Sequence, residues 1–155
     1  MNLLPLVTDN VTELLIKIIE FTQTRQKTLI QNIKNIHSSG FVPRDLRVKE
    51  FCALLNDAID EHIQNKRLVL RDTENVKFGI SGSFKVKSLI DKHAKELLDE
   101  NKDKYLTLQI NKLLENSLNQ RVAAELLKKR SASTNYRTIN YYYQDYNSER
   151  IDNNP

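Results

Sequence analysis

Three glycines and three prolines in 155 residues leave this chain almost without the residues that end helices and turn between strands. A fold of many short strands needs such residues at every connection, so their scarcity favours long helices before any periodicity is examined. The 39% of hydrophobic residues is enough for one modest core, and a single domain is the expectation.

Periodicity places the long helices at the two ends. Asn10 followed by Glu13 has the form of a capping box, so a helix is predicted to begin there. Val11, Leu14, Ile18 and Phe21 then recur at spacings of three and four, and Leu15, Leu29 and Ile36 extend the adjoining row. Arg25, Thr28 and Asn32 take seam positions in the second half, which makes that half wetter. His37-Ser38-Ser39-Gly40, with Pro43 beyond it, predicts the stop. At the other end a helical pattern runs from Leu106, with Ile110, Leu113, Leu114, Ala124 and Leu127 on one face and Leu118, Val122 and Leu126 beside it. An isolated helix is marginal in water, so the two stripes are expected to bury each other.

Between them the pattern changes. Phe51, Leu54, Leu55, Ala58 and Ile59 mark one face of a helix predicted from Val48 to Ile63, with Cys52 read as a small buried residue. Val76, Phe78 and Ile80 alternate with polar or small residues, Ser81-Gly82-Ser83 can turn, and Phe84 and Val86 alternate again, which predicts a β-hairpin. Leu89 to Leu98 can form a short amphipathic helix before the polar run Asp99 to Asp103. The expected fold is therefore mainly α, with paired, coiled-coil-like terminal helices and a small middle region holding a short helix and a hairpin. Its parts are 1–40 with 102–140, then 41–101, then the Tyr-rich tail 141–155. Tyr141, Tyr142, Tyr143 and Tyr146 have too few aliphatic neighbours for a core, so the tail is expected to be disordered in isolation, or to dock through its tyrosines on a neighbouring subunit.

Arg25 to Leu46, reading RQKTLIQNIKNIHSSGFVPRDL, resembles the N-terminal signature of bacterial flagellar rod and hook proteins, with Asn32, Asn35, Gly40 and Phe41 in register. Leu106 to Leu127, with Asn116-Ser117-Leu118, resembles the C-terminal helix of the basal-body rod proteins of the FlgB type, and Tyr136 to Ile139 suits its final turns. The chain departs from the pattern at Lys34, at Ser38-Ser39 and at Gln120. The resemblance implies a structural subunit of the proximal rod, exported uncleaved through the type III channel to the periplasmic basal body. Its partners would be copies of itself, other axial proteins and the export apparatus, and its terminal helices would order fully only against neighbours. Asn32, Asn35, Gly40 and Phe41 would form the assembly motif. Leu14, Ile18, Phe21, Leu29, Leu106, Ile110, Leu113, Leu114, Leu118, Leu126 and Leu127 would pack the helices. Buried amides suit such a role because a register error leaves them unsatisfied, and Gly40 allows a turn closed to most residues.

Other chemistry finds little support. His37, His62 and His93 lack metal-ligand spacing and read as solvated. Gly82 to Ser88 ends like a phosphate loop, but Val86 stands where a glycine is required. Ser81 lacks the last glycine of a nucleophile elbow, and Asp57, Asp60 and Glu61 read as a solvated face balanced by Lys66 or Arg67. No catalysis, cofactor, metal or small-molecule substrate is expected. No apolar run reaches the length of a membrane span, and Met1 to Val7 lacks the basic start of a cleavable signal. The net charge of +4 leaves a rival to the rod reading, itself less favoured than the rod: a cytosolic module binding nucleic acid through Lys102, Lys104, Lys112, Lys128, Lys129 and Arg130; a helical chaperone or adaptor is the third alternative.

Overall fold

A computed structural model describes residues 10–79 and 83–132. The element order is α1 (Asn10–Lys34), β1 (Arg44–Asp45), α2 (Val48–Asn65), β2 (Val76–Lys77), β3 (Lys85–Val86), β4 (Leu89–Ile90), α3 (Lys92–Glu100) and α4 (Lys102–Ala132). The fold is mainly α, and the long helices α1 and α4 pack on each other. They run antiparallel: Leu15 and Ile19 cluster with Ala123 and Leu127 at one end, while Asn32 meets Gln109 and Tyr105 at the other. The tail 141–155, the residues Tyr136 to Ile139, and Ile80 to Gly82 of the predicted hairpin lie outside the described residues.

Helix α1 is apolar on two faces and serves two cores. Leu14 and Phe21 join Leu46, Phe51, Leu55, Ala58, Val76 and Phe78, so the middle region packs directly on the first helix. Phe21 and Phe51 stack with ring centroids 4.0 Å apart, and Phe84 approaches Phe51 edge-on at 6.1 Å. Leu15 and Ile19, one position further round, form the second core with Ala123 and Leu127 of α4. Ile18 packs against both. Lys17 is 4% exposed, a costly site for a charge; its ammonium donates to Glu20 at 3.0 Å and lies 5.6 Å from the centre of the Phe84 ring.

The hairpin forms where alternation predicts it, with Val76 opposite Val86 and Lys77 opposite Lys85. A second two-stranded ladder was not legible in the sequence: Arg44 pairs with Ile90 and Asp45 with Leu89, antiparallel. Leu89 and Ile90, expected as the first helical turn, are thus strand, and α3 starts after Asp91, whose carboxylate accepts from the Ala94 amide at 3.0 Å. Three further expectations are corrected. His62, read as solvated, is half-buried and accepts at Nδ1 from Asn10 at 2.8 Å, at the start of α1 where the capping pattern predicts a helix to begin, while the other two histidines are exposed. Cys52 is exposed, because α2 buries only the Phe51, Leu55 and Ala58 edge. Ile59, read on that edge, is 41% exposed.

Candidate assembly interface

The residues that resemble the rod signature fall at the joint between α1, the loop after it and α4. Asn32 is 2% exposed and uses its whole side chain. Its Nδ2 donates to the Arg44 carbonyl at 2.7 Å and to Gln109 Oε1 at 2.9 Å, while its Oδ1 accepts from the Arg44 amide at 3.1 Å. Tyr105, fully buried, donates its hydroxyl to the Asn32 carbonyl at 2.9 Å. Burial, with the charge of Asp91 adding to it, pushes the Tyr105 hydroxyl up to about 12. Asn35 is half-buried and bonds locally, donating to the Gln31 carbonyl and accepting from Ser38. Gly40 has φ +70° with open space where a side chain would stand, so the backbone conformation alone favours glycine there. Phe41 is half-buried. Asn32 is therefore the member of the motif built into the fold, and it is satisfied within one chain.

A charged knot lies beside this joint. Arg25 grips Asp45 through two bonds, Nε to Oδ1 at 2.9 Å and Nη2 to Oδ2 at 3.1 Å. Lys112 from α4 donates to Asp45 at 2.9 Å and to Asp91. Burial raises the Asp45 carboxyl, but the hydrogen bonds from Arg25 and Lys112 outweigh it and hold the group below the usual carboxylate range. Burial likewise lowers the Lys112 ammonium, and its bonds to Asp91 and Asp45 outweigh that and raise it. A groove of about 470 Å³ opens over the knot, with Arg47 and Glu50 also on its wall. Its central charges already neutralise one another, so they have little left to offer a ligand.

The seam that α4 turns toward α1 is unlike the one the apolar pattern suggests. Its buried residues are Tyr105, Gln109, Asn116, Gln120, Ala123 and Leu127, half of them amides. Asn116 donates to the Thr22 carbonyl at 2.8 Å, and Gln109 Nε2 has no hydrogen-bond partner. Of the helix-packing residues read from the sequence, Leu14, Phe21, Leu29 and Leu127 are buried, and Ile18, Leu106 and Leu113 are half-buried. Ile110, Leu114, Leu118 and Leu126 point outward, at 42%, 64%, 62% and 47% exposure, with Val122 at 51%. The reason is geometric. A residue every four positions advances by about 40° per step, so the row from Leu106 to Leu126 winds around the helix and cannot stay against a straight partner. Spacings of four, seven, four, three and four, from Tyr105 to Leu127, return to one side. That alternation was the available signal for the true seam, and its amides disguised it.

Among the described residues no cluster of His, Cys, Asp or Glu could hold a metal ion, and no helix is long and apolar enough to cross a membrane. The basic residues do not gather into one patch: Lys112 is engaged in the knot, and Lys104 and Lys128 are separated by roughly 36 Å along α4. No family model, no curated protein and no solved structure matches this chain.

Proposed function

We propose that this chain is a structural subunit that assembles with copies of itself through its long C-terminal helix. In the specific form that the rod-protein resemblance suggests, it is exported through the type III channel and takes its place in the proximal rod of the flagellar basal body beside other axial proteins. The observation that carries the reading is the outward apolar row on α4. A contiguous run of large aliphatic side chains on a surface helix marks an interaction site, and a lone exposed leucine does not. The seam between α1 and α4 supports it from the other side. Asn32 with Gln109 and Asn116 with the Thr22 carbonyl hydrogen-bond across it, which favours one register of the paired helices while the aliphatic surface stays available. The role needs no catalytic group and no cofactor.

The test has two levels. Self-assembly is read by light scattering across a concentration series, comparing the natural chain with a variant carrying Leu114→Asp and Leu118→Asp, the two most exposed residues of the row. Concentration-dependent growth that the variant loses is the expected result, and a strictly monomeric natural chain would overturn the reading. The rod assignment is read in the source cell. There the chain should co-purify with basal bodies, and the same double variant should fail to enter the rod and abolish motility. Normal motility in a strain deleted for the gene would remove the flagellar form while leaving self-assembly in place.

A further inference from the structure

We infer that two copies pair through α4 in the same sense, crossing at Leu118 at a steep angle, with Glu115 of each chain meeting Arg121 of the other. The inference rests on the self-assembly reading and adds the partner's orientation; a two-fold pair closes on itself, so growth beyond the pair uses another surface.

The crossing angle follows from the winding of the row. Leu114 and Leu118 are the most exposed of its members, and exposure falls toward Ile110 on one side and toward Val122 and Leu126 on the other. The row therefore presents its middle to the outside and carries its ends back toward the flanks of the α1 seam. A partner can engage only that middle, and it does so best when its own row lies alongside. Two helices whose ridges both follow four-residue spacing pack at a crossing of about −50°, which differs from the shallow angle of a coiled coil.

Charge selects the direction. Glu115 and Arg121 are both exposed, each three positions from Leu118. At about 100° per residue they lie roughly 60° to either side of it, on opposite flanks of the row. Turning the helix so that the row stands upright brings these two side chains to nearly the same level as Leu118. A partner in the same sense, related by a two-fold axis along the rows, then sets its Arg121 beside Glu115 and its Glu115 beside Arg121. A partner in the opposite sense, related by an axis across the rows, sets glutamate against glutamate and arginine against arginine. Like charges placed directly across an interface suppress that arrangement, and opposite ones favour the first.

Disulfide mapping tests this on the full-length chain with Cys52→Ser removing the natural thiol. Leu114→Cys, Leu118→Cys and Val122→Cys are made singly and oxidised under mild conditions. All three are expected to form covalent dimers, since in the same-sense crossing each residue lies near its own copy. Dimers from Leu118→Cys alone would indicate the opposite sense and overturn the inference while leaving self-assembly intact. Dimers from none, with association still seen by light scattering, would mean that another surface or the chain's own termini cover the row, and would also overturn it. Loss of all association in the natural chain would remove both this inference and the function on which it rests. A charge exchange supplies an independent check: Glu115→Arg and Arg121→Glu should each weaken association several-fold, and the double variant should recover it. Failure of the double variant to recover would overturn the pairing.

Discussion

Asn32 on α1 and Gln109 on α4 share a hydrogen bond of 2.9 Å across 77 positions of the chain, and the same Asn32 amide holds the Arg44 carbonyl. One side chain thus sets the register of the two long helices and pins the loop that delivers Asp45 to the charged knot.

The two ends of that bond should respond unequally to mutation. Asn32→Leu strands the Arg44 amide and carbonyl as well as Gln109, and unsatisfied buried groups cost about 1–3 kcal/mol, so a loss of about 3 kcal/mol is expected in urea unfolding. Gln109→Leu leaves Asn32 its bond to Arg44 and removes an amide nitrogen that has no partner. Its effect should stay within about 1 kcal/mol of zero, because the new side chain is apolar and fills the site. Equal losses from the two variants would contradict the assignment of Asn32 as the hub.

Lys112→Met leaves Asp45 and Asp91 facing each other without their shared cation. Breaking a well-buried pair costs about 3–5 kcal/mol, and because Lys112 keeps some contact with solvent a loss of about 2–3 kcal/mol is expected. The pH dependence carries a signature. Asp45 is depressed, so its contribution is complete above the unfolded value near 3.9 and disappears as pH falls through the lower folded value. Lys112 is raised, so its contribution is complete below about 10.4 and disappears as pH rises through the higher folded value. Thermal melts from pH 2 to 12 should show both limbs flattened in the variant.

Tyr105 adds to the alkaline limb. Its folded value of about 12 lies above the unfolded value near 10, so the folded state keeps a proton that the unfolded state gives up in between. Stability should fall by about 2–3 kcal/mol over that interval at 1.36 kcal/mol per unit. Tyr105→Phe should cost about 1 kcal/mol at neutral pH through the lost bond to Asn32, yet show a shallower alkaline decline. An unchanged slope would mean that the hydroxyl ionises freely in the fold.

The leucines of α4 should divide by the side on which they lie. Leu127→Ala, at 1% exposure against Leu15 and Ile19, is expected to cost about 2–5 kcal/mol, as is Leu29→Ala at a fully buried position of α1. Leu114→Ala and Leu118→Ala should change monomer stability by no more than about 0.5 kcal/mol, since their side chains meet mostly solvent. Size-exclusion chromatography should separate the groups in the opposite order, with the outer pair changing association.

Gly40→Ala isolates a backbone effect. The space is open, so only the positive φ penalises a side chain, and a loss of about 1 kcal/mol or slightly more is expected. A stabilised variant in chemical denaturation would mean that the turn relaxes to a negative φ.

The amino-acid sequence by itself determined the number and place of the long helices, because apolar spacing and the lack of Gly and Pro inside them act locally. It determined the turn at Gly40 and the hairpin from Val76 to Val86 for the same reason. It also marked Asn32 as a residue whose amide would matter. What only the tertiary structure decided is which side of each helix meets which neighbour. Hydrophobicity alone chose the aliphatic row of α4 for the seam, yet amides fill that seam because Thr22 and Asn32 supply a backbone carbonyl and a side-chain amide from a distant part of the chain. The β1–β4 ladder and the knot joining Arg25, Asp45, Asp91 and Lys112 arise in the same way. A two-residue strand or a charge pair has no local signature, since its stability comes from groups that meet only after the helices have packed.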